Sequence, residues 1–116
     1  MKALFKINKK AYELEFAPNA KLLDVLRDNG FTEVKCGCRE GFCGACSILL
    51  DGELVNSCMV YAASVGDKEI TTVKGIGSIH EPHPIQEAFV EAGAVQCGFC
   101  TPGMVLATYA LLQRNP

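Results

Sequence analysis

Seven cysteines in 116 residues constrain this chain more than any other feature of its sequence. Four of them lie in one glycine-rich stretch, Cys36-Gly37-Cys38-Arg39-Glu40-Gly41-Phe42-Cys43-Gly44-Ala45-Cys46, and Cys58 follows after an apolar run. So high a count for the length calls for either an oxidising compartment or a metal. The number is odd, and the N-terminus (Met1 to Lys10) breaks its apolar residues with lysines instead of building the apolar core of a secretory signal. A disulfide scaffold is therefore disfavoured, and the thiols read as metal ligands or redox groups. No uninterrupted apolar run approaches the roughly 18 residues of a membrane-spanning helix. The formal charge of -2 is too small to argue for nucleic acid or a membrane surface. The expectation is a soluble cytoplasmic protein.

Cys38, Cys43 and Cys46 have the C-x4-C-x2-C spacing of plant-type 2Fe-2S centres, and Cys58 can return as the fourth thiolate after a hairpin. Spacing alone does not separate iron from zinc. Gly37, Gly41 and Gly44 favour iron-sulfur, because a loop wrapped tightly around a cluster needs backbone freedom and lets N–H groups approach the sulfurs. Zinc knuckles assembled from Cys43/Cys46 and Cys97/Cys100 are the alternative, but they would leave Cys38 and Cys58 idle. Buried structural cysteines fit worse, since the loop is too polar and glycine-rich for a core segment. Cys36 is a fifth thiol for four places. Only Cys38 gives the four-residue spacing to Cys43, so Cys36 reads as the spare, with an exchange between the two left open.

The rest of the chain supplies a scaffold. Ala3, Phe5 and Ile7 alternate with Lys2, Leu4 and Lys6 as in a half-buried strand, and Tyr12, Leu14 and Phe16 alternate with Glu13 and Glu15 in a second. Asn8-Lys9-Lys10 joins them as a hairpin turn. Pro18-Asn19 ends that strand. Leu22, Leu23 and Leu26 then recur at helical spacing up to Asn29-Gly30, where glycine suits the left-handed C′ position. Residues 47–50, Asp51-Gly52 and residues 53–57 read as strand, tight turn, strand, and residues 70–73 as a last β-branched strand. This order predicts an α+β fold, a β-grasp sheet crossed by one helix. From Lys74 the composition shifts to Gly75, Gly77, Ser78, Pro82 and Pro84, and the boundary is placed near residue 75. Ile85, Ala88, Phe89 and Ala92 form one apolar helical face ending at Gly93, and Met104, Val105, Thr108, Leu111 and Leu112 form another. Between them lies Cys97-Gly98-Phe99-Cys100, followed by Thr101 as a candidate N-cap and Pro102 as a first helical residue.

With these motifs in this order, the sequence resembles the small iron-sulfur subunit of the molybdenum hydroxylases, the family of xanthine dehydrogenase, aldehyde oxidoreductase and carbon monoxide dehydrogenase. The landmarks are the segments 38–46, 51–58, 70–75 and 96–104, and the likeness covers nearly the whole chain. The resemblance implies a β-grasp 2Fe-2S ferredoxin-like domain at residues 1–75 and a helical 2Fe-2S-binding domain at residues 76–116. It implies Cys38, Cys43, Cys46 and Cys58 as ligands of the solvent-side cluster, Cys97 and Cys100 as ligands of the inner one, and Gln96 as a pterin contact. It further implies a large molybdopterin-binding partner subunit and a medium subunit carrying FAD. Electrons would pass from molybdenum through both clusters, with no substrate chemistry on this chain. One departure stands out. The family completes the inner cluster with a C-x-C motif after the second helix of a four-helix domain, and residues 1–116 contain none. Cys97 and Cys100 are half of a site, and the expectation is that the sequence is part of a longer chain. At Lys9 the family often has glycine.

Other signals carry less. Cys97-x2-Cys100 before a helix resembles a thioredoxin-type dithiol but lacks the βαβ context of that motif. His80 and His83 sit in the Gly/Pro-rich linker without partners at metal-site spacing. Phe42 and Phe99 read as packing, and Glu13, Glu15, Glu33 and Glu53 as solvated faces. Nothing suggests a Ser-His-Asp triad. The alternatives to a relay subunit are a free-standing 2Fe-2S ferredoxin-like carrier and a zinc-stabilised interaction module.

Overall fold

A computed structural model describes residues 1–116. The first hairpin pairs β1 (Lys2–Ile7) with β2 (Lys10–Glu15), Ile7 opposite Lys10. Its two-residue turn puts Asn8 and Lys9 in the left-handed region, φ 51° and 70°, the geometry that matches the twist of the flanking strands. Phe5 and Ile7 bury themselves under α1 (Leu22–Asp28), whose Leu22, Leu23, Val25 and Leu26 are all buried. Gly30 follows the helix at φ 92°, as its position after Asn29 leads one to expect. Val34, Ile48, Val65 and Ile70 complete this core.

The second hairpin is β3 (Ser47–Leu50) with β4 (Glu53–Asn56). The short β5 (Glu69–Thr71) lies between the two hairpins, parallel to β1 and antiparallel to β3, giving the order β2-β1-β5-β3-β4. With one helix across it, this is the β-grasp arrangement. β5 stops two residues earlier than its β-branched run suggested. The Thr72 N–H turns away from the ladder and donates to Asn8 Oδ1 (2.9 Å), while the Thr72 hydroxyl donates to Glu33 Oε2 (2.7 Å). Val73–Gly75 then forms a 3-10 turn. Glu33, read as solvated, is therefore buried, with Lys74 Nζ 3.9 Å from its other oxygen.

Two helices follow, α2 (Pro84–Glu91) and α3 (Thr101–Arg114). Pro84 is the first residue of α2 and not linker. His83 caps it, Nδ1 accepting from the Ile85 N–H (3.1 Å), while Gln86 Oε1 accepts from the His83 N–H (2.8 Å). Thr101 is the first residue of α3 and Cys100 its cap position, so threonine does not serve as the N-cap. The buried face of α3 also differs from the expected one: Gly103, Val105 and Leu106 face inward, whereas Met104 and Leu111 are 54% and 60% exposed. The reason is the sheet. Ile48 joins the core under α1, and its neighbour Leu49, pointing the opposite way along the pleat, is buried on the α3 side. Arg114 closes the far end with an ion pair to Glu53 (2.6 Å).

Candidate metal centre

The loop from Cys36 to Cys46 has no regular structure, and its shape comes from turns that place glycines, and one arginine, at positive φ. Arg39, Gly41 and Gly44 have φ of 59°, 82° and 72°. Gly37 is needed for a different reason: a Cβ there would come within 2.5 Å of Cys43 Sγ. The backbone can thus fold its N–H groups inward onto sulfur. Glu40, Phe42 and Cys43 each point an N–H at Cys38 Sγ at 3.3 Å. Cys43 Sγ receives the N–H groups of Cys38 at 3.3 Å and Ala45 at 3.4 Å.

Cys58 is brought in by the second hairpin. The Ser57 N–H and hydroxyl both donate to the Cys46 carbonyl, at 3.3 and 2.8 Å. Ser57–Met59 then turns as a 3-10 helix, which sets the Cys58 thiol beside that of Cys46, both buried. Asn56 Nδ2 reaches back to the Gly41 carbonyl (3.2 Å), tying hairpin to loop.

The electrostatics follow from this cradle. The Cys43 N–H, with those of Glu40 and Phe42, brings the Cys38 thiol down to about 6. Burial pushes the Cys58 thiol up, aided by the adjacent Cys46 thiol and opposed by the Gly41 backbone. One side of the site is thus prepared for thiolate, and the other is dry. A donor set of four soft sulfurs, with N–H groups aimed at two of them and no room for a side chain at Gly37, fits a 2Fe-2S cluster.

The structure pairs Cys38 with Cys43 through backbone N–H groups shared between their sulfurs, and it sets Cys58 beside Cys46. Cys36 is half-buried against the core under α1, its thiol near the Arg39 guanidinium. Gln96, Cys97 and Cys100 stand apart, exposed on the segment between α2 and α3. What the motifs did not disclose is the support. Asp24 of α1 anchors Arg39, and Gly103 of α3 rests on the Gly44 backbone. The glycine in Cys100-Thr101-Pro102-Gly103 was the one available signal.

Two family profiles match, one described as a 2Fe-2S iron-sulfur cluster binding domain over residues 5–72, the other as a 2Fe-2S binding domain over residues 72–116. The nicotinate dehydrogenase small FeS subunit of Eubacterium barkeri is 45% identical over 111 residues, covering 95% of this chain and 71% of that one. The chain belongs to the small iron-sulfur subunits of the molybdenum hydroxylases. Another relative of this iron-sulfur subunit is the xanthine dehydrogenase iron-sulfur-binding subunit of Escherichia coli O157:H7, 43% identical over 93% of this chain and 68% of that one. Quinoline 2-oxidoreductase from Pseudomonas putida 86 contains the same fold, with a TM-score of 0.95 and 37% identity over 100% of this chain and 72% of the matched one. These relatives support an electron-transfer role and do not favour a free-standing carrier. No helix of the subunit is long and apolar enough to cross a membrane.

Proposed function

We propose that this subunit relays electrons from the molybdopterin of a large partner subunit towards FAD on a medium subunit or another acceptor, without substrate chemistry of its own. The observation that carries this is the cradle of N–H groups around Cys38 and Cys43, closed by Cys46 and Cys58. Those four cysteines are the ligands we assign to the first cluster. A bound 2Fe-2S cluster would supply one-electron uptake and release. The chain's residues do the rest: inward N–H groups offset negative charge on sulfur, and the burial of Cys46 and Cys58 keeps water from one side.

We assign Cys97 and Cys100 to half of a second 2Fe-2S site and the neighbouring Gln96 to pterin contact, with residues 1–75 and 76–116 as the two domains. Phe99, Val95, Val90 and Ile79 are all exposed on the same part of the chain, which supports a protein surface covering it. Anaerobic reconstitution with iron and sulfide tests the reading. The chain should turn brown, hold about two irons and two sulfides, and give the EPR signal of a reduced 2Fe-2S centre. A colourless chain that takes up only zinc would refute it. In cells a tagged subunit should co-purify with a molybdopterin-binding protein.

A further inference from the structure

The Gly44–Ala45 peptide faces two ways. Its N–H points at Cys43 Sγ (3.4 Å). Its carbonyl accepts from the Ser47 N–H (3.1 Å) and lies directly beneath Gly103 of α3. A Cβ on Gly103 would overlap the Gly44 carbonyl oxygen and come within 3.2 Å of its carbon and 3.5 Å of Ala45 Cα. These are backbone atoms, so no side-chain rotation relieves the crowding. A peptide unit is rigid and planar, so pushing its oxygen tilts its N–H by the same angle. The Ala45 side chain cannot absorb the motion easily, because it is buried and packed near Gly37.

We propose that Gly103 is a positioning residue for the first cluster: by its lack of a side chain, α3 sets the tilt of the Gly44–Ala45 peptide and so the N–H directed at the Cys43 sulfur. The inference rests on Cys43 being a ligand, as proposed above, and goes beyond it by making the helical segment part of the first site. Val105 and Leu106, buried against the sheet two and three residues on, press the helix onto this seat. An N–H directed at sulfur stabilises the extra negative charge of the reduced centre. Losing it makes reduction harder and the cluster more labile.

The test compares the reconstituted wild-type chain with Gly103→Ala and, as a control on the exposed side of the same turn, Met104→Ala. EPR-monitored redox titration, EPR line shape and the rate of iron loss to a chelator are read on each. Gly103→Ala should show a more negative potential, an altered line shape and iron loss about 10-fold faster, the low end of what a lost outer-shell contact does to metal retention. Met104→Ala should match wild type. If Gly103→Ala does not fold, Val105→Ala decides: it withdraws two methyl groups that seat α3, and should change line shape and iron loss in the same direction. A folded Gly103→Ala indistinguishable from wild type overturns the proposal, as does an unchanged Val105→Ala in its place or a Met104→Ala that shifts equally. A wild-type chain without a cluster overturns the parent reading and this one with it, whereas a normal wild-type cluster indifferent to α3 overturns only this one.

Discussion

Asp24, in the first turn of α1, holds Arg39 through both carboxylate oxygens, Oδ1 to Nη2 at 2.8 Å and Oδ2 to Nη1 at 3.1 Å. Arg39 follows Cys38 at a φ of 59° that a non-glycine residue rarely takes, and the fork keeps it there. Both side chains are substantially solvent-exposed, 51% and 39%, so the pair acts on loop geometry more than on overall stability. Asp24→Asn should leave the melting temperature nearly unchanged and speed iron loss to a chelator. The Arg39 guanidinium holds the Asp24 carboxyl below its usual range. A depressed folded value means that the contribution is present above the unfolded pKa of about 4 and is lost as pH falls through the folded one. The difference between Asp24→Asn and wild type should therefore be fully present at neutral pH, where the Asp24 carboxylate is ionised.

Thiol reactivity in the metal-free chain should follow the hydrogen bonds. With Cys38 brought down to about 6, iodoacetamide should label it first at pH 7, with a rate that rises through pH 6 and then levels off. Cys58, pushed up and buried, should be labelled last. Peptide mass spectrometry after timed quenching reads both, and equal rates at the two thiols would refute the asymmetry.

The second face of the sheet yields a paired prediction. Leu106 is 1% exposed and Met104 54%, so Leu106→Ala should cost about 2–5 kcal/mol in denaturant unfolding. Met104→Ala should cost well under about 1 kcal/mol. The reverse order would mean that α3 docks by the face that its sequence pattern suggests.

Lys9 occupies a left-handed turn position at φ 70°. A side chain there costs roughly 1 kcal/mol relative to glycine. Lys9→Gly should raise stability by up to about that amount in chemical denaturation, with no effect on the cluster's EPR signal.

Much of this was legible beforehand because local rules carried it. Period-two alternation marked both strands of the first hairpin, Asp51-Gly52 the second turn, and Gly30 the end of α1. The pairing of Cys38 with Cys43 was legible because the two lie close in sequence in one glycine-rich loop, whereas Cys58 had to return to Cys46 from a distance. What depends on distant partners was not. Met104, Leu111 and Leu112 repeat at helical spacing as well as Leu106 does, and only the presence of Leu49 and Gly44 beneath the helix decides between the faces. Thr72 resembled one more strand residue until Asn8 and Glu33, far away in sequence, took its hydrogen bonds. His83 lacks the usual signature of a helix cap, and its imidazole nitrogen serves because Pro84 and Gln86 follow it.

The position of β5 has a consequence for the order of events in the cell. Each hairpin closes through contacts near in sequence, but β5 alone bonds to both. Until residues 69–71 have left the ribosome, no backbone ladder joins the two ribbons, and the loop carrying Cys38 and Cys43 is tied to the second through Asn56 and the Gly41 carbonyl. A delivery machinery that charged the nascent chain earlier would meet thiols on a scaffold whose two halves are not yet joined.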